Sequence, residues 1–136
     1  MKIFVLGHNG MLGHMIVKYF KSQNIEILTT SKRFPNWDFG MFKNSDYIIN
    51  CIGAIPQKTN NFKINHELPK WLEKLNKKII HPGTDCEVDN SDYGKSKKLA
   101  TDYILNNANN TKIIQTSIIG PEVKNKVSLL NSSYII

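Results

Sequence analysis

Short apolar runs alternate with amphipathic stretches along most of this chain. Ile3-Phe4-Val5-Leu6, Ile25–Thr29, Tyr47–Ile52, a run opening at Ile79-Ile80, and Lys112–Thr116 read as five strands. The third is apolar through its centre, as in a strand covered on both faces. Between them, Met11–Ser22, Asn61–Leu75 and Tyr93–Asn107 carry apolar residues at helical spacing. Phe62, Leu68, Trp71, Leu72 and Leu75 mark the second helix, and Leu99, Ala100, Tyr103 and Ile104 the third. Strands alternating with helices predict an α/β fold, a doubly wound parallel sheet, in a single domain over 1–136. Phe34–Lys43 interrupts the alternation. Its Pro35, Trp37 and Gly40 predict a loop or a short, imperfect helix.

The first strand runs straight into Gly7-His8-Asn9-Gly10-Met11-Leu12-Gly13 and then into a helix. Glycine admits backbone angles closed to other residues and lets a phosphate approach the main chain. The helix that opens there points its unpaired N–H groups and positive dipole end at the same spot. Spaced glycines alone are common turn formers. At the first strand-to-helix turn of an α/β pattern they predict a Rossmann-like NAD(P) site, with Gly7, Asn9, Gly10, Met11, Leu12 and Gly13 as cofactor residues. His8 lies inside the turn, within reach of phosphate.

The end of the second strand bears on which dinucleotide is bound. An acid there would hold ribose hydroxyls, whereas a cation accommodates a 2′-phosphate. The chain reads Thr29-Thr30-Ser31-Lys32-Arg33, with no acid. Ser31, Lys32 and Arg33 therefore predict NADP in preference to NAD. The competing reading of these residues is a solvated basic turn.

Tyr93 and Lys97 stand four apart at the start of the third helix, on one face. An ammonium near a phenol favours the phenolate, so the pair predicts a tyrosine of lowered pKa, able to protonate a carbonyl oxygen as hydride arrives. Thr84 follows the fourth strand, where loops at carboxyl ends form sites. It reads either as a partner of the same substrate oxygen or as a turn cap. Asn65 reads as a buried polar contact or a solvated surface residue.

Charge and composition then narrow the classes. The net charge of +7 would suit nucleic acid, but the lysines are scattered instead of clustered with aromatics. A nucleic-acid binder stays a third reading, and a small anionic ligand fits the charge better. Cys51 and Cys86 and the four histidines have no metal-ligand spacing. The cysteines read as buried free thiols, and no metal is expected. The opening apolar run is too short for a leader or a membrane span, so a cytoplasmic protein is expected.

Together these residues resemble the extended short-chain dehydrogenase/reductase superfamily, within it the dTDP-4-dehydrorhamnose reductases and related nucleotide-sugar reductases and epimerases. The likeness rests on Gly7-x-x-Gly10-Met11-Leu12-Gly13, Asp46-Tyr-Ile-Ile-Asn50-Cys51-Ile-Gly53 and Asn65-x-x-x-Pro69. It continues through Thr84-Asp85-Cys86, Tyr93-x-x-x-Lys97 and Thr116-Ser117-Ile-Ile-Gly120-Pro-Glu122. The resemblance implies Tyr93 as acid, Thr84 orienting the carbonyl, and Lys97 tuning Tyr93 and binding the nicotinamide ribose. It implies Asn50, Cys51, Gly53 and Asn65 on the cofactor side, and Asp38 in place of an adenine-contacting acid. The implied reaction is NADPH-dependent reduction of a keto group in a nucleotide sugar. Two features depart from the family: Gly83 stands where it has serine, and only Asp85–Asp92 separates threonine from tyrosine. A substrate domain past about residue 120 is expected to be missing or vestigial, so the alternative is a non-catalytic dinucleotide-binding module serving a partner subunit. Val127, Leu129, Leu130, Tyr134, Ile135 and Ile136 predict a sixth strand or contact with a second copy of the chain.

Overall fold

The computed structural model describes residues 1–107 and 110–115. Expectations placed on Thr116–Glu122 and on the apolar residues beyond Gly120 lie outside the described residues. The elements run β1 (Lys2–Leu6), α1 (Met11–Ser22), β2 (Glu26–Leu28), β3 (Tyr47–Asn50), α2 (Ile64–Glu73), β4 (Lys78–Gly83), α3 (Asp92–Asn107) and β5 (Thr111–Gln115), with 3-10 turns at Phe39–Phe42 and Asp85–Val88. The five strands form one parallel sheet in the order β2-β1-β3-β4-β5. This is the doubly wound arrangement that the alternation of runs predicts.

Period-two side-chain alternation sorts the strand residues into two apolar layers. Phe4, Leu6, Ile48 and Ile79 pack with Leu68 and Leu72 of α2. Ile3, Val5 and Ile49 point the other way, against Ile16, Val17 and Phe20 of α1. Helices therefore cover both faces, which is why the strands read as continuous apolar runs. The strand order reverses between β1 and β3, and such a reversal opens a crevice above the carboxyl ends of the strands.

Three elements, α2, β2 and β3, are shorter than the apolar spacing predicts, and for α2 the reason is local. The Thr59 hydroxyl accepts from Asn61 N at 3.0 Å, and the Asn61 side chain accepts from Lys63 N at 3.1 Å. These turns spend the backbone donors that a helix would need, so α2 begins at Ile64. At its other end, Asn76 takes a left-handed conformation, with φ of 54°. β2 keeps three residues, Glu26–Leu28.

Phe34–Lys43 contains the short imperfect helix at Phe39–Phe42, capped by the Asp38 side chain, which accepts from Met41 N at 3.2 Å. The segment is held by an aromatic cluster. Trp37 is buried and meets Phe34, Phe42 and Trp71 edge-on, and its indole Nε1 donates to the Lys32 carbonyl at 2.9 Å. That bond ties the basic stretch after β2 to the core. Trp37→Phe, which retains an aromatic ring but loses the donor, is expected to destabilise the chain by about 1–3 kcal/mol in urea unfolding.

His81 on β4 is 2% exposed, and neither ring nitrogen has a hydrogen-bond partner. Burial first, and then the Lys97 charge, push its pKa from 6.5 down to about 3. The unfolded chain therefore takes up a proton near pH 6.5 that the folded chain refuses until about pH 3. The neutral ring's contribution is complete above pH 6.5 and is lost as pH falls through the window below it, at roughly 1.4 kcal/mol per pH unit. Urea unfolding from pH 7 to pH 4 is expected to show this slope in the native chain. His81→Leu, which titrates nowhere in that window, is expected to be less acid-sensitive by that amount.

Candidate functional site

The glycine turn lies at the crevice between β1 and β3. Gly7 has φ of +77°, and a side chain there would press on the Cys51 carbonyl. A side chain at Gly13 would run into the carbonyl of Gly7. Gly7 thus supplies the turn's left-handed bend, and Gly13 the close packing of α1 on it. Gly10 is the residue before α1. No side chain caps that helix, and no acid stands in its first turn. A twelve-residue helix with bare first-turn donors and a positive dipole end suits an external anion.

A cleft of about 380 Å³ opens beside this turn. Gly7, His8, Asn9 and Gly10 line one side, and Thr30, Ser31, Lys32 and Arg33 another. The phosphate-facing and basic residues expected from the sequence are thereby brought to one cavity. The remaining lining, Phe34, Ile52 and Ile64, is apolar and was not legible as a site. Those side chains come from three separate segments, and each reads in sequence as an ordinary core residue. Met11, Leu12 and Gly13 contribute the start of α1 and do not line the cleft. Asp38 is exposed and caps the 3-10 turn, away from the lining. The acid implied at the adenine is therefore not at the cleft. A cavity with cations at one end, apolar walls and a glycine turn that a Cβ would fill fits a dinucleotide phosphate.

The loop after β3 is built by asparagines. Asn50 is buried, and its side chain accepts from Ile52 N at 3.1 Å. Asn65 is buried too. It accepts from Ala54 N at 2.7 Å and donates to Ala54 O at 2.9 Å and to Ser96 Oγ at 3.1 Å. This resolves the alternatives for Asn65 in favour of a buried backbone contact, which holds the loop rather than presenting a free polar group. Gly53 lies beside it, with Asn65 Oδ1 where a Cβ contact would fall. Cys51 is a free thiol whose pKa burial pushes up to about 12. Cys86 is also free, and both are partly buried.

Ser96 Oγ in turn donates to the Tyr93 carbonyl at 2.6 Å, carrying the Asn65 link into α3. Ser91 caps that helix, with Oγ accepting from Gly94 N at 2.9 Å. A side chain at Gly94 would collide with the Cys86 carbonyl and the Asp89 carboxylate. α3 therefore docks on the Asp85–Val88 turn because residue 94 is glycine, and this brings Tyr93 to Thr84. The structure bears on one of the two readings of Thr84, the turn cap. Its hydroxyl caps the turn, accepting from Cys86 N at 3.3 Å, and Thr84 lies close enough to Tyr93 to pull the phenol's pKa down.

Electrostatics depart from the expected tuning. Tyr93 is half-buried against Phe62, and burial raises its pKa. The Thr84 hydrogen bond opposes the rise, while Cys86, Asp85 and Glu87 add to it. The predicted lowering by Lys97 is absent, because Lys97 turns inward. Its Nζ donates to the Pro82 carbonyl at 3.1 Å, and burial lowers its pKa while Glu87 raises it. Tyr93 is accordingly a phenol at neutral pH in the free chain. Among the described residues no cluster of metal-ligating side chains occurs, and no helix is long and apolar enough to cross a membrane.

No protein-family model and no curated protein matches the sequence. Solved structures match in fold. The chain superposes on a dTDP-4-dehydrorhamnose reductase from Clostridium acetobutylicum with a TM-score of 0.64 at 24% identity, covering 86% of this chain and 53% of that one. A dTDP-4-dehydrorhamnose reductase from Bacillus anthracis, solved in complex with NADP, matches at 15% identity and TM-score 0.56, covering 90% and 56%. A UDP-N-acetylglucosamine 4-epimerase from Bacillus cereus matches at 17% identity and TM-score 0.63, covering 85% and 58%. The chain spans about half the length of these proteins. By its sheet, its glycine turn and these superpositions, it has the Rossmann-like fold of NAD(P)-binding proteins, similar to part of the nucleotide-sugar reductases and epimerases.

Proposed function

We propose that this chain binds NADPH in the cleft beside the glycine turn and reduces a keto group, in a nucleotide sugar or a related small molecule. The observation that carries the reading is the convergence at the carboxyl ends of the strands. A phosphate-accepting turn and a basic strip share one cleft, and Thr84 and Tyr93 follow β4 at the same end of the sheet. The reductase superposed above that was solved with NADP supports the choice of cofactor.

In this reading Gly7, Asn9, Gly10 and the start of α1 hold the pyrophosphate. Ser31, Lys32 and Arg33 hold the 2′-phosphate, with Thr30 beside them. Phe34, Ile52 and Ile64 give the adenosine an apolar wall. The dihydronicotinamide supplies the hydride that the carbonyl carbon accepts. Tyr93, kept protonated by burial, gives its phenolic proton to the carbonyl oxygen, and Thr84 orients that oxygen by hydrogen bonding. Lys97 leaves the Pro82 carbonyl when it reaches the nicotinamide ribose, and in that position it eases the proton off Tyr93.

Fluorescence titration is expected to give tighter binding for NADPH than for NADH. Arg33→Ala is expected to weaken NADPH binding roughly tenfold and leave NADH unchanged. Equal affinity for both dinucleotides in the native chain would remove the assignment of Ser31, Lys32 and Arg33. Tyr93→Phe is expected to retain NADPH affinity and lower turnover of a keto-sugar nucleotide by about 10²–10⁴. NADPH binding with no reduction across a panel of such substrates would defeat the catalytic reading.

A further inference from the structure

β2 ends at Leu28, and Thr29–Arg33 leave the sheet with no helix or strand to hold them. Ser31, Lys32 and Arg33 are all exposed, yet they line one side of the cleft beside the glycine turn. A short set of hydrogen bonds fixes this strip. The Thr30 hydroxyl accepts from Lys32 N at 3.1 Å, and the Arg33 carbonyl accepts from Asn36 N at 2.9 Å. Between them, the Lys32 carbonyl accepts from Trp37 Nε1 at 2.9 Å. Of the three donors, only the indole belongs to a buried residue, at 8% exposure. Its ring is held in turn by edge-on packing on Phe34, Phe42 and Trp71, with centroids at 5.4, 6.1 and 5.9 Å. Phe42 meets Phe4 of β1 at 4.8 Å. The strip is thereby referenced to the strand that leads into the glycine turn.

We infer that Trp37 is a positioning residue that sets the choice of NADPH over NADH. Its indole N–H holds the Lys32 peptide, and with it the Ser31-Lys32-Arg33 strip, in place for a 2′-phosphate. The inference rests on the proposed reading of that strip as the 2′-phosphate site, and it adds what keeps the strip there. Long charged side chains on a loose backbone lose freedom when they close on a ligand. Anchoring the backbone beforehand removes part of that cost. Only a dinucleotide with the 2′-phosphate draws on the strip, so only that one gains. The two parts of the Trp37 side chain divide the work. Its ring supports Phe34, part of the apolar wall that both dinucleotides would meet. Its N–H acts on the strip alone. Removing the donor while keeping a ring therefore separates discrimination from binding in general.

The test is fluorescence titration of NADPH and NADH against the native chain and Trp37→Phe, both full length. In the folded variant NADPH affinity is expected to fall about fivefold, and NADH affinity to stay within about twofold. Equal losses for the two dinucleotides would make Trp37 merely structural and overturn the inference, as would an unchanged NADPH affinity. Where Trp37→Phe does not fold, the native chain carries the test. Coupling is reciprocal, so a bond that favours NADPH is itself favoured by NADPH. Hydrogen exchange of the Trp37 indole proton, assigned and followed by NMR, is expected to slow about fivefold more with saturating NADPH than with saturating NADH. Equal slowing by both overturns the inference. A native chain that binds the two equally defeats the 2′-phosphate reading, and the inference with it. A native preference for NADPH that survives intact in Trp37→Phe defeats the inference alone.

Discussion

The contact on which the rest depends is the one between the Gly7 carbonyl and the backbone of Gly13. α1 approaches the end of β1 so closely that no side chain fits between them. That approach aims the uncapped start of the helix at the crevice between β1 and β3. It also seats Ile16, Val17 and Phe20 over one face of the sheet. The phosphate-accepting geometry and half of the apolar core are thus consequences of a single close packing. A larger residue at position 13 would disturb both together.

On the opposite side, polar groups do what glycine does here. Asn65 clamps the loop after β3 through both directions of the Ala54 peptide and then reaches Ser96. Gly94 lets α3 settle on the Asp85–Val88 turn. These contacts decide that Tyr93 meets Thr84. They also place Lys97 deep enough that its ammonium turns to the Pro82 carbonyl instead of the phenol. Buried polar groups of this kind hold a unique arrangement when satisfied and are unfavourable when they are not. Asn65 is the satisfied case, and His81, with two unpartnered nitrogens, is the other.

Much of this was legible beforehand. The apolar runs at Ile3–Leu6, Tyr47–Ile52 and Ile79-Ile80 were readable as covered parallel strands because burial on both faces leaves no polar alternation. The glycine turn and the Ser31-Lys32-Arg33 strip were readable because their chemistry is local. Helix α2 was overextended because Asn61 looks like a helix residue until its side chain is seen to form a turn. Phe34, Ile52 and Ile64 were missed because nothing distinguishes a cleft wall from a core residue in one dimension. Asp38 caps the 3-10 turn and is not among the cleft-lining residues, which its place in the chain does not reveal.

The sequence by itself determined the order of elements, the parallel sheet and the phosphate-accepting turn, since each follows from residue types within a few positions of one another. Only the tertiary structure decided the electrostatics of Tyr93, Lys97 and His81. Spacing on a helix shows that two side chains share a face. It does not show how far each is removed from water, and burial outweighs the neighbouring charge for Tyr93, Lys97 and His81 alike. Glu87 is buried for the same kind of reason: α3 and β5 close around a short acidic turn and exclude the water.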